Sequence, residues 1–250
     1  MSTLTRPDPG WTPDGAGPAV TSREKVCWSF PFGRRVAVVG LLLGSAANTA
    51  ETVLGRWLLP DSPDAPGALI EHYARHGTTI GVLSTIGTLA IPFMLVGFLS
   101  LAHLLAGGMR RTAAVAAGLL AAGMWGFAGV HLLELTYLSV ADVGNTAALR
   151  GFVDVVEGNV YLGLLWGLPF LAGCVLGMIT LALGLLRSGV LPRWVPGCLL
   201  GFILLDFTVG TASPVDPHWL YLLACCGAAM VIGRMSDDEW RTADTRRGRS

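Results

Sequence analysis

Charge is what this sequence has least of: Asp, Glu, Lys and Arg supply 14% of its 250 residues, against roughly 25% in an average soluble domain. That deficit excludes a chain with most of its surface in water. The 17 basic and 17 acidic residues cancel, so the overall balance carries no electrostatic footprint of a nucleic-acid partner. Lysine is nearly missing. Lys25 stands alone among arginines, and with abundant alanine and glycine this is the composition of a high-GC bacterial gene. Cysteine is sparse as well: Cys27, Cys174, Cys198, Cys225 and Cys226 sit in or beside apolar runs without paired spacing. A disulfide framework and a zinc knuckle are therefore not expected, and these residues read as small buried hydrophobes. There is no phosphate-binding glycine loop, no Gly-x-Ser-x-Gly elbow and no aspartate-rich prenyl-diphosphate motif. Nucleotide-driven pumps and metal-dependent prenyl transferases are disfavoured, and no cofactor is implied.

What is present is apolar. Hydrophobic residues make up 52% of the chain, gathered in runs of about 20, long enough to cross a hydrocarbon layer roughly 30 Å thick. Six spans are expected, at about 36–55, 78–104, 112–138, 158–186, 194–212 and 217–234. With the N-terminus inside, fourteen of the 17 basic residues fall on the cytoplasmic side, leaving Arg56, Arg75 and Arg150 outside. A missing or invented span would scramble that positive-inside bias. The expected class is all-α: a polytopic membrane helix bundle, N-in and C-in, in the inner (plasma) membrane. Residues 1–33, rich in Pro and Gly, read as a disordered cytoplasmic tail. Residues 34–234 are the transmembrane domain and 235–250 a charged cytoplasmic tail. No secretory signal precedes the first run, which is expected to stay as an anchor.

Two outer loops are longer and acidic, and each holds an amphipathic stretch. In one, Leu69, Ile70 and Tyr73 oppose Glu71, His72 and Arg75. In the other, Leu149, Phe152, Val153 and Val156 recur opposite Arg150, Asp154 and Glu157. Gly163/Gly167, Gly173/Gly177 and Gly197/Gly201 are small-xxx-small pairs that let helix backbones approach closely. Pro92 and Pro169 fall near the middle of the second and fourth spans, where each removes a backbone hydrogen bond and is expected to kink its helix.

Three carboxylates inside apolar runs are the strongest candidates for chemistry: Glu51, Glu134 and Asp206. A carboxylate at the bilayer centre costs roughly 2.5–3.5 kcal/mol on insertion scales, so such residues usually face the bundle interior or water and mark a working site. Their spans run in the same direction and all three lie in the outer halves, so they are expected to ring one outward-facing cavity. His131 shares a helical face with Glu134, three residues on, and Asn48 stands in the same relation to Glu51. Asp206 has no polar neighbour of that kind, so its partner must come from another helix. The bland reading of Glu51 and Glu134 is an interfacial or helix-bonding role, and that of His131 with Glu134 an interhelical hydrogen bond. Trp125, Trp166, Phe170 and Phe202 are candidate aromatic walls that would stabilise a cation, or plain helix packing. His72 and His76 at i, i+4 could join a metal site with His131, Glu134 or Asp206. The intervening Tyr-Ala-Arg forms no motif, so no metal is assigned. His218, beside Trp219 and Tyr221, reads as an interface residue.

Ala-Ala-Asn-Thr-Ala-Glu at 46–51, the amphipathic segment at 68–76 and the Gly/Ala-rich six-helix body together resemble a loose group of small bacterial integral membrane proteins of unassigned function. The resemblance spans most of 36–234 and implies a fold without an activity. Two buried acids in a compact bundle are also similar to the small membrane-bound terpenoid cyclases, where Glu51 and Asp206 would be the counterparts; the flanking residues do not match, and no catalytic role is carried over. The expected function is an outward-facing acidic cavity that binds or passes an apolar or cationic small molecule. The alternatives are an intramembrane enzyme with a buried acid as general acid, drawing on Asp206, Glu51, Glu134 and His131, and a structural membrane subunit. Membrane lipid is the expected partner, with an apolar small molecule possible, no nucleic acid, and no protein partner identifiable.

Overall fold

A computed structural model of the chain describes residues 31–59, 66–142, 146–208 and 216–243. Nearly all of the expected N-terminal tail, the end of the C-terminal one, Cys27 and the last residues of the expected fifth span lie outside the described residues. No strand occurs among the described residues. The helices are α1 (Arg34–Leu58), α2 (Pro66–Asp142), α3 (Thr146–Glu157), α4 (Val160–Leu162), α5 (Cys174–Ser188), α6 (Trp194–Thr208), α7 (His218–Arg234) and α8 (Asp237–Thr242). Three stretches are long and apolar enough to cross a membrane: Arg34–Leu58, Glu71–Ala141 and Val160–Ser188; α6 and α7 are shorter apolar helices of 15 and 17 residues.

The second stretch does not run straight. Tyr73 and Glu134 are 61 residues apart yet their side chains are 3.5 Å from each other, whereas a continuous helix would separate them by about 90 Å. Leu138 likewise lies against Gly77 and Gly81. The backbone leaves helical dihedrals at Met109 (φ −137°, ψ 61°), close to the midpoint of these pairings, and at His76 (φ −118°, ψ 15°). Residues 77–108 and 110–142 are thus an antiparallel hairpin turning at Met109. Residues 66–75 are a separate short segment whose Tyr73 packs against Leu138 and Tyr137 near the hairpin's open end. Arg110 and Arg111 sit at the turn, one end of the bundle.

Glycine decides where helices touch. On α1, Ala37, Gly40, Leu41, Gly44, Asn48 and Thr49 form one buried stripe at helical spacing. Gly40 and Gly44 lie against the backbone of Phe93 and Met94, and Gly97 returns the contact against Leu41. On the second arm of the hairpin, Gly123 meets Cys174 and Gly173, while Gly126 meets the backbone of Trp166 and Phe170. Of the three expected glycine pairs, only Gly173/Gly177 makes such a crossing, against Gly123, Leu119 and Leu120. Gly163, Gly167 and Gly197 have open space where a Cβ would stand, and Gly201 meets only a Leu220 methyl. Spacing alone does not say which way a stripe faces. Gly40/Gly44 has the same spacing and carries a real crossing.

The prolines behave differently from each other. Around Pro169 the helix widens into two i→i+5 stretches, Gly163–Gly167 and Pro169–Gly173, a known response to a missing backbone donor. At Pro92 the dihedrals stay helical, so the kink expected there is not a dihedral break. Helix α5 ends at Gly189, whose φ of +64° is the left-handed cap that glycine tolerates best.

Residues 235–243 belong to the folded body. Trp240 is buried, its indole nitrogen donates to the Phe32 carbonyl at 3.1 Å, and its own carbonyl meets His103 Nε2 at 2.7 Å. Arg34 pairs with Asp237 at 2.9 Å and also reaches the Gly233 and Met235 carbonyls. A capping box opens α8: Ser236 accepts from the Glu239 amide, and the Ser236 amide donates to the Glu239 carboxylate at 2.6 Å. These bonds hold the Glu239 carboxyl below the usual carboxylate range. The sequence reads as a charged tail because the polar residues are numerous; buried Trp240 and the Arg34–Asp237 pair dock its described part.

Candidate functional site

Glu51 continues the buried stripe of α1, two turns beyond Gly44. On the second arm of the hairpin, Phe127, His131, Glu134 and Leu138 repeat at helical spacing on one face. The close glycine crossings bring these faces together. His131 Nδ1 lies 3.5 Å from Glu51 Oε1 and 3.8 Å from Glu134 Oε2. His131 is 5% exposed, and neither ring nitrogen makes a hydrogen bond among the described residues. The Tyr73 hydroxyl donates to Glu134 Oε1 at 3.5 Å. Ser84 reaches Glu134 as well. Gly87 makes room for Glu51: a Cβ there would overlap its carboxylate.

These groups border a cavity of about 320 Å³, lined also by Asn48, Thr52, Leu83, Phe127, His72 and His218. Two carboxylates and three imidazoles line it, and the described lining contains neither Arg nor Lys. Arg56, at the same end of α1, is committed to Asp216 at 3.2 Å.

Asp206 is not in this cavity. It belongs to a neighbouring group in which His218 Nδ1 meets Asp216 Oδ1 at 2.9 Å and Asp206 Oδ1 at 3.9 Å. The backbone carbonyl of His218 accepts from Thr49 at 3.2 Å. The expectation that three acids ring one cavity is corrected to two acids in the cavity and one behind His218, itself a wall residue. Equal depth in parallel helices does not fix the direction a side chain faces.

The expected aromatic walls also disperse. Trp125 is 61% exposed on the outside of the bundle. Trp166 covers Gly129, Phe170 stacks on Phe127 at 5.1 Å, and Phe202 packs edge-on to His218 at 4.9 Å. None of the four is among the lining residues. Phe127, which sequence reasoning passed over, is; its position four residues before His131 was the available signal. Asn48 does line the cavity. His72 also lines it, but His76 is not among its lining residues: the backbone break at His76 ends the short segment, and the two imidazoles stand 5.0 Å apart. The three donors that converge are instead Glu51, His131 and Glu134, whose ligating atoms all lie within 4.8 Å of one another.

Compared with protein-family models, curated proteins and solved structures, the chain matches none. The site's own chemistry is therefore the basis for a functional reading.

Proposed function

We propose that this chain is a six-span membrane protein with both ends on the cytoplasmic face, akin to small bacterial bundles of that kind, that binds a small cation in an outward-facing cavity. Counting the Met109 hairpin as two passes gives six with α1, Val160–Ser188, α6 and α7. The contacts of Phe32 and Arg34 with α8 support an even number, since they join the two ends of the body at one face. The cavity lies towards the other end of α1.

The observation that carries the ligand reading is the pair of carboxylates, Glu51 and Glu134, lining a cavity with neither Arg nor Lys among its described walls. Charges shielded from water are neutralised by a proton or by a counterion, and a cation entering the cavity would supply the counterion. The test is equilibrium binding of tetraphenylphosphonium, an apolar cation, to the full chain in nanodiscs. Binding is expected to fall at least tenfold in the Glu51→Gln/Glu134→Gln double variant; binding unchanged there defeats the reading. A second reading, an intramembrane enzyme, draws on the 3.9 Å approach of Asp206 to His218, which leads from a half-buried acid to the cavity wall. It requires turnover that Asp206→Asn abolishes with cation binding intact.

A further inference from the structure

Two carboxylates and a histidine close together ordinarily form hydrogen bonds at about 2.7–3.2 Å. Here the two separations from His131 Nδ1 are 3.5 and 3.8 Å, and that nitrogen makes no hydrogen bond. Those lengths fit another arrangement. Donors about 2.0–2.1 Å from a tetrahedral ion stand about 3.3 Å from each other. The third edge, between the two carboxylates, lies within 4.8 Å.

We infer that Glu51, His131 and Glu134 form a binding site for one divalent first-row transition-metal ion, represented here by zinc, which takes imidazole and carboxylate donors together. This deepens the cation reading above and rests on it. The charge matches, since two carboxylates carry the two negative charges that a divalent ion neutralises. The surroundings match a metal's outer shell: the Tyr73 hydroxyl donates to Glu134, orienting a would-be ligand from behind. Gly87 against Glu51 and Phe127 against the imidazole at 4.4 Å restrict the other two. Three protein donors beside a cavity leave a coordination position open to water or a small ligand, the pattern of sites that do more than hold a fold together. The set is built from two separate helices, and His131 is the buried polar group that points into it.

The test uses the full chain in nanodiscs, stripped with chelator and titrated with Zn²⁺ alone, followed by calorimetry and by metal content after desalting. One Zn²⁺ per chain is expected. Affinity should fall at least tenfold in each of Glu51→Gln, His131→Ala and Glu134→Gln, and hold in His76→Ala. X-ray absorption on the zinc-loaded wild type should show one imidazole with oxygen donors at about 2.0–2.1 Å, a readout that needs no variant to fold. Binding that survives His131→Ala, or a spectrum with two imidazoles or sulfur, overturns the inference. If Zn²⁺ does not bind while tetraphenylphosphonium still binds through Glu51 and Glu134, the metal assignment falls and the cation cavity stands. If neither binds, both fall.

Discussion

Glu51 illustrates how a single side chain depends on a residue that has none. Its carboxylate lies over Gly87, where even a methyl group would overlap it. Because that carboxylate is the free end of a flexible side chain, Gly87→Ala is expected to push it aside without disrupting the helix crossing. Alanine also gains about 1 kcal/mol of helix propensity over glycine in soluble hosts. Thermal stability should therefore hold or rise slightly while cation affinity drops about tenfold, measured by melting and by equilibrium binding on the same preparation. A loss of stability with affinity intact would show that Glu51 plays a packing role and not a binding one. Glu51 and Glu134 were legible as candidates from the sequence alone, because a carboxylate within an apolar run is expensive. Their company was not. His131 was placed with Glu134 by spacing three residues apart, whereas its closer approach, to Glu51, crosses from one helix to another and leaves no mark in the linear order.

At the scale of the helix, the same limit explains the glycines. Apolar runs and arginine clusters mark where helices begin and end with little ambiguity, and the observed α1, hairpin arms, Val160–Ser188 and α7 follow those runs. Which face of each helix is turned inward depends on its neighbours. On paper Gly197, in a small-xxx-small pair with Gly201, is the better crossing point, and Gly123, flanked by Leu119 and Phe127 at that spacing, is not marked at all. In the structure a Cβ at Gly123 would stand 2.6 Å from the Cys174 backbone nitrogen, while Gly197 has nothing within 4 Å. Gly123→Ala is accordingly expected to destabilise by about 1–3 kcal/mol, because backbone and not a side-chain tip must move. Gly197→Ala is expected to be neutral or to stabilise by up to about 1 kcal/mol. Unfolding in detergent with added denaturing surfactant compares the two directly, and equal effects would contradict the crossing described here.

For the whole molecule, the arrangement of ends is the most consequential feature. Trp240 and Arg34 tie the start of α1 to the segment after α7, and Arg56 with Asp216 ties the other end of α1 to the start of α7. These two helices therefore run antiparallel along their whole length, with the basic turn at Arg110 and Arg111 and the docked α8 on one side and the Glu51–His131–Glu134 group towards the other. In the proposed topology, which follows the arginine bias, the first side faces the cytoplasm. Single cysteines at exposed positions test that assignment. Arg75→Cys, on the short segment over the cavity, should react with a membrane-impermeant maleimide in intact cells. Asp238→Cys, on the exposed face of α8, should react only after the membrane is opened. Labelling of both from the same side would remove the odd number of crossings between them. Labelling in the reverse order would keep the bundle but turn the cavity towards the cytoplasm, so that its cation would be drawn from the cell interior.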